Sequence, residues 1–477
     1  MQIIFGNISY WQIPLIRLLK FFRFNVYYLN IVSDSEFKRN EIASHLKKRN
    51  ITPLLLEFEK EIHRKSFSLM AEDSDEYAYK KNINMIPDKI LKKYNSLFSI
   101  DENDVKKLRL LIQNIISGQR STSGKIEIWS NLYPSEKIIL ISFRFKDFFD
   151  FSSADNITRI IIPIDIFSNI LKIFQYKKQK NEILKSNNFK NSEEKISNSE
   201  EKSVAFVTHK GIVYGSSEEM LFQKTLYYSD DKNSCLNKYN ILHLDYSNYL
   251  SPEKNLHWMC LKKIKISTKK IISKAFLASI KTFYLVRSWS TFLIWIYLIQ
   301  QYISYIKYCE AIKNFKRLKL ALIDFDYLCP KTLLLAFKKN NIKTVATQER
   351  FITTFHSYAN VMLDTYFTAS EFTANQFKKS KYNDVNQVIP VGQYRSDYIE
   401  LYKDRMIPEE ISKAKSNGKK ILIILGHHSQ NHWYESCKEP HLNWTAQLEF
   451  LEECVRLSQN LNNTYIILRY KTIGWTK

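Results

Sequence analysis

"LKLALIDFDYLCPKTLLLAFKKNNIKTVATQER", residues 318–350, carries the reading of the fold. It opens on a strand-like run, "LKLALIDFD", passes through the helix-like "PKTLLLAFKKNN", and returns to a strand in "IKTVATQER". Strand-like runs on either side of a helical segment, joined by short connections, predict a βαβ unit. The rhythm continues downstream with "DTYFTAS" (364–370), the helix "EFTANQFKKS" (371–380) and the strand "NQVIPVG" (386–392). A mainly parallel sheet covered on both faces is therefore expected. In such sheets ligands bind beyond the carboxyl ends of the strands. Asp324, Asp326, Gln348, Glu349, Arg350, Ser370, Gly392 and Arg395 all fall at predicted strand ends, so one edge of the sheet should hold them.

The same alternation runs toward the amino terminus. "QIIFG" (2–6), "IPLIRLLKFF" (13–22) and "NVYYLNI" (25–31) read as strand, helix and strand, and "KIILISF" (137–143) and "TRIIIPI" (158–164) add strands. Residues 177–203 contain NSEEK twice, show no periodicity and have few apolar residues, as expected of a solvated, disordered insertion. "VAFVTHKG" (204–211) and "YNILHLDY" (239–246) resume the strands, and a long helical region spans about 262–316. After the spacer 405–418 come the strand "KKILIILGHH" (419–428), a helix over 443–461 and the strand "TYIILRYK" (464–471). Two strands and one helix are too few to bury both faces of a sheet, so the second unit is expected to be truncated at its C-terminus.

The chain has 477 residues, which favours more than one domain. Its net charge is +23, which suits an anionic partner. Lysines outnumber arginines 55 to 16, and phosphate or base recognition favours the arginine fork, so nucleic acid is not the expected partner. The six cysteines form no CxxC pair and no metal-ligand spacing, which points to a reducing cytoplasm. "WSTFLIWIYLIQQYISYI" (289–306) leaves three readings open: a core helix, a helix lying at an anionic membrane surface, or a span. Gln300 and Gln301 interrupt it and weigh against the span.

The ordered set "TVATQERFITTF", "DTYFTASEFTANQF", "NQVIPVGQYRSDY", "KKILIIL" and "YIILRYK" resembles bacterial surface-polysaccharide glycosyltransferases of GT-B architecture. It is similar in particular to the capsule, lipopolysaccharide and CDP-glycerol glycerophosphotransferase-like group. "VTHKGIVYGSSEEMLFQKTLYYSDD" (207–231) also resembles a strand-end segment of surface-carbohydrate biosynthesis proteins. The resemblance covers about 204–477. It implies an α/β, GT-B-like fold with two Rossmann-type parallel-sheet domains facing a cleft. Residues 1–405 would form the acceptor-side domain, and 418–477 would begin the donor-side domain. It also implies a nucleotide-activated sugar donor, a lipid-linked or surface-glycan acceptor, no cofactor, and a cytoplasmic or peripheral membrane location. The alternatives are a glycerophosphotransferase-like enzyme and a non-catalytic basic assembly protein on a membrane surface.

Glycosyl transfer needs a base for the acceptor hydroxyl, charge stabilisation for the departing phosphate, and exclusion of water. Where the family often has Gln-His-Gly, this chain has Gln348-Glu349-Arg350. Glu349 can replace the missing imidazole as base and Arg350 can hold a phosphate, or the two form a surface ion pair. His209 is a second candidate base, or else a structural histidine. His427 and His428 follow a strand-end glycine and are candidate donor or acceptor contacts. His428 and His432 are four apart, but no third ligand joins them, so no metal is expected. Arg469 and Lys471 match in position the family's strand-end basic pair, an anion contact. "VGQYRSDY" (391–398) reads as a hinge, with Gly392 turning the chain and Arg395 and Asp397 pinning the crossing. The pair Asp324 and Asp326 is read as capping or structural rather than metal-binding.

Overall fold

Interior strands of a covered parallel sheet must be apolar on both faces, and "QIIF" and "VAFVT" meet that demand most fully. In the computed structural model of the chain they are interior strands of two separate parallel sheets. The structure describes residues 1–29, 31, 36–54, 88–101, 104–116, 126, 129–130, 133–143, 155–162, 164, 203–208, 241–246, 259–261, 264, 266–323, 329–348, 361–379, 383–392, 407–426 and 444–470. The insertion read at 177–203 lies outside them, except Ser203.

In chain order the first elements are β1 (Gln2–Phe5), α1 (Ile13–Phe21), β2 (Asn25–Tyr28), α2 (Glu36–Lys47) and β3 (Thr52–Pro53). Then come α3 (Asp88–Asn95), α4 (Val105–Ile116), β4 (Ile138–Ser142) and β5 (Ile157–Ile161). The five strands pair in parallel in the order β3-β2-β1-β4-β5. Along β1 the side chains alternate. Ile3 and Phe5 pack with Ile13 and Ile16 of α1 and Ile42 and Leu46 of α2. Ile4 enters the opposite layer with Leu29, Trp129 and Leu140. The indole N–H of Trp129 donates to the side-chain carbonyl of Gln2, satisfying two buried polar groups.

The second sheet contains β6 (Val204–Thr208), β7 (Ile241–Asp245) and β8 (Met259–Cys260). After α5 (Thr268–Phe283) and α6 (Trp289–Ile312) it continues with β9 (Leu320–Ile323), α7 (Lys331–Lys339), β10 (Lys343–Thr347), β11 (Met362–Thr368), α8 (Glu371–Lys379) and β12 (Asp384–Pro390). All seven strands are parallel, in the order β12-β11-β10-β9-β6-β7-β8. Counted from its own first strand, each sheet begins 3-2-1-4-5, the order of doubly wound α/β folds. The stretch 1–405, read from sequence as one domain, thus contains two sheets.

The helical region expected at about 262–316 is two helices, broken at 284–288. Ser288 caps α6 by accepting the N–H of Thr291. Of the three readings of 289–306, the structure shows core packing. Leu293, Ile296, Leu298, Tyr305 and Ile306 are buried beside Leu333, Leu334 and Phe337 of α7. Among the described residues no helix is long and apolar enough to cross a membrane.

The helices α3 and α4 precede β4 in the chain but pack into the core of the second sheet. Phe98, just after α3, meets Tyr302 edge-on with ring centres 5.8 Å apart and lies tilted against Tyr305 at 5.5 Å. The Tyr297 hydroxyl donates to the Leu111 carbonyl at 3.3 Å. Burial pushes the Tyr297 and Tyr305 phenols up, and the Cys309 thiol up to about 11, so these groups stay neutral in the core. Lys107 of α4 pairs with Asp104 and, at 3.2 Å, with Asp384 at the start of β12.

The last elements are α9 (Glu409–Ser416), β13 (Lys420–Gly426), α10 (Trp444–Asn460) and β14 (Thr464–Tyr470). The two strands pair in parallel as a sheet of their own. In this unit the Ala414 and Cys454 side chains are buried, while Ile423 and Val455 are exposed. A two-stranded sheet is marginal by itself, and an exposed Ile423 on its central run adds little to it. Hydrogen exchange should therefore run faster in β13 and β14 than in β9, β10 and β11. Equal protection would show that the small sheet has further support.

One ion cluster fixes α5 against α6. Lys270 and Lys274 reach Glu310 at 2.7 and 2.8 Å, and Lys313 stands at 3.5 Å. Burial pushes the Glu310 carboxyl up, but the hydrogen bonds and charges of these lysines outweigh it and hold it at about 2. A depressed carboxyl pKa contributes stability above its ordinary value of 4.5, and that contribution fades as pH falls toward 2. The lysines are half-exposed, so screening trims the effect. Glu310→Gln should cost about 1 kcal/mol at neutral pH. In urea titrations the gap to wild type should close as pH falls from about 5 toward 2.

Candidate functional site

The chain leaves β6 toward β7 and β8 on one side, then returns through α5 and α6 to lay β9 on the other. That reversal, between β6 and β9, is where doubly wound sheets open a crevice at their carboxyl edge. Register places the strand ends level: Thr208 opposite Asp245, Val207 opposite Ile323, Ile323 opposite Ala346, and Thr347 opposite Phe367. From β7 to β11 the edge crosses five adjacent strands, about 20 Å.

Polar groups collect along this row. Thr208 and Asp245 are both fully buried, and the Thr208 hydroxyl donates to Asp245 Oδ2 at 3.4 Å. The Tyr246 N–H donates to the Thr208 carbonyl at 3.2 Å, tying the two strand ends together. Gln348 directly follows β10 and is buried. Its own N–H donates to the Phe367 carbonyl at 2.8 Å, and its Oε1 accepts the Ala369 N–H at 2.9 Å. Ser370 caps α8: its hydroxyl oxygen accepts the Thr373 N–H at 3.2 Å and its carbonyl accepts the Ala374 N–H at 2.9 Å. The buried Thr368 hydroxyl donates to the same carbonyl at 3.3 Å.

Of the residues singled out in the sequence, Gln348 and Ser370 are thus brought together through the short turn at Ala369. Gly392 follows β12 at φ +90°, the left-handed region that favours glycine, with open space where a Cβ would stand. Arg469 lies on β14, in a sheet separate from the β6–β9 edge. His209, Asp324, Asp326, Glu349, Arg350, Arg395, Asp397, His427, His428, His432 and Lys471 lie outside the described residues. Among the described residues no group of three or more His, Cys, Asp or Glu is placed to hold a metal ion.

Two charged residues of this edge were not singled out in the sequence. Asp245 ends the strand "ILHLD", and the strand-end rule that marks Asp324 applies to it equally. Lys331 opens α7 directly after Pro330 and is buried. A lysine at a helix N-terminus works against the helix dipole, and a buried ammonium needs compensating oxygens. No sequence signal separates it from the many surface lysines; burial alone distinguishes it.

Chemically, the edge combines a buried carboxylate, two buried threonine hydroxyls, a buried amide, a buried lysine and the N-termini of α7 and α8. Carboxylates accept protons or bind hydroxyls, while lysines and helix N-termini favour anions such as phosphate. No protein-family model matches the chain, and no curated protein is significantly similar to it.

The Gln348 side chain is predicted to clamp the edge. Gln348→Leu should destabilise the protein by about 1–2 kcal/mol, because the Ala369 N–H loses its acceptor. Gln348→Glu keeps an acceptor oxygen and should cost less. Chemical denaturation of the two variants checks the order.

Proposed function

We propose that the chain is a glycosyltransferase of GT-B type, moving a sugar from a nucleotide-activated donor to a lipid-linked or surface-glycan acceptor in polysaccharide or lipopolysaccharide biosynthesis. The observation that carries this reading is the reversal between β6 and β9, with polar strand ends on one edge of a doubly wound sheet. It is joined by the resemblance of the ordered segments from 204 onward to that group. In this reading the protein works in the cytoplasm or peripherally on the inner face of the cytoplasmic membrane, where such acceptors are built.

In this reading the chemistry is proton removal plus leaving-group stabilisation, without a cofactor. Glu349 follows Gln348, whose amide is locked to the next strand end, and serves as base, with His209 after Thr208 as the other candidate. Arg350 and Arg469 serve the donor phosphates, and Ser370, His427, His428 and Lys471 complete the substrate contacts. Asp245, buried and hydrogen-bonded to Thr208, fixes the end of β6, and His209 is the next residue in the sequence.

The test is transfer from a panel of radiolabelled nucleotide sugars, with CDP-glycerol included, to lipid-extract acceptors. Glu349→Gln or His209→Gln should lower turnover about 10²–10⁴-fold with donor binding retained. Arg350→Ala and Arg469→Ala should weaken donor binding by about 1.5–3 kcal/mol each. Wild-type rate and affinity in all four would place the site elsewhere, and transfer from CDP-glycerol alone would assign the glycerophosphotransferase chemistry.

A further inference from the structure

The helix α5 is apolar on two opposite faces, and the protein covers only one. Ile271, Ala275, Ala278 and Thr282 form a buried stripe that packs inward. On the other side Ile272, Phe276, Ile280 and Phe283 make a second stripe at helical spacing, with Leu277 and Tyr284 beside it. These six side chains are 47–66% exposed. A surface helix ordinarily turns polar residues outward, and single exposed apolar residues need no explanation. Six large ones on one helical face do.

Along α5 itself the charge has one sign. α5 carries Lys269, Lys270, Lys274 and Lys281 and no acidic residue, and Arg287 follows it, exposed. Lys270 and Lys274 reach back to Glu310 and hold the helix against α6, which leaves the outward stripe facing solvent. Lys93 stands 5.0 Å from the centre of the Tyr284 ring, adding a cation at the rim. The inner side is anchored as well, since the Trp295 indole N–H donates to the Thr282 hydroxyl at 3.0 Å; at the margin of the outward stripe the half-exposed Phe283 ring meets Trp295 edge-on.

We propose that this outward face of α5 seats the protein on an anionic lipid surface, with the apolar stripe entering the headgroup boundary and the lysines meeting lipid phosphates. An amphipathic helix with lysines beside large apolar residues has the composition that lies in such an interface. A second copy of the chain fits less well, because a two-fold contact through this face would set lysine against lysine. The core helix α6, the segment whose sequence suggested a membrane role, supports the surface from beneath. This inference does not rest on the transferase reading, since a non-catalytic surface protein would use the face in the same way.

Co-sedimentation of the whole chain with vesicles, without any substrate, tests it. Binding should appear with phosphatidylglycerol-containing vesicles, stay weak with phosphatidylcholine alone, and fall as salt rises. The double variant Phe276→Glu/Ile280→Glu should bind at least about tenfold more weakly, because it places charge in the buried stripe. Lys269→Gln/Lys281→Gln should bind more weakly at low salt and respond less to added salt. All four positions are exposed, so thermal melts should match wild type. The helix α1 also exposes Leu18 and Phe21, and Leu18→Glu/Phe21→Glu serves as the comparison. Undiminished binding by the α5 apolar variant, or loss confined to the α1 variant, would overturn the proposal. So would absence of binding to anionic vesicles, or light scattering that shows an α5-dependent dimer in its place.

Discussion

The parallel pairing of β6 with β9 joins two segments more than a hundred residues apart, from Val204 opposite Leu320 to Val207 opposite Ile323. Closing so long a loop is entropically costly, so burial must offset it. Ala205, Val207, Ala321 and Ile323 are buried at this junction. The helix α6, 24 residues and about 36 Å long, carries the chain back across the sheet to make the pairing possible. Its apolar residues are therefore committed to the core. β10, β11 and β12 then extend the sheet outward from β9, and the reversal that forms the crevice exists only because this pair forms.

The interleaving of α3 and α4 adds a second constraint. These helices lie between β3 and β4 in the chain yet fill space against α6 and α7. The residues between the first three strands and the last two of the amino-terminal sheet thus help complete the core of the other sheet. Lys107, shared between Asp104 and Asp384, repeats the link at the amino end of β12. Such contacts commit a stretch of chain that lies between two strands of the amino-terminal sheet to the core of the other sheet.

The polar edge and the basic helix face follow from the same economy. Strand carboxyl ends in a parallel sheet cannot be closed by hairpins, so their polar groups must find partners across neighbouring strand ends. Gln348 with Ala369 and Thr208 with Asp245 are such solutions. On α5, the lysines that face inward are spent on Glu310, while Lys269 and Lys281 surround an apolar surface the protein leaves uncovered.

The alternation of strands and helices was legible in the sequence because local periodicity encodes it. The runs "LKLALIDFD" and "IKTVATQER" announced β9 and β10, and the strand-end rule placed Gln348 and Ser370 on the edge where they stand. Gly392, one of nine glycines, was legible through the turn it had to make. Pairing partners were not legible, since hydrogen bonds between parallel strands depend on crossovers rather than on any local signal. The division of 1–405 into two sheets, the passage of α3 and α4 into the second core, and the buried positions of Asp245 and Lys331 were therefore decided only in three dimensions. The same holds for 289–306 and 268–283. Both are apolar helices with basic flanks, and hydropathy favoured the first for the membrane. Packing against α7 buried that one and left the outer face of the other in contact with solvent.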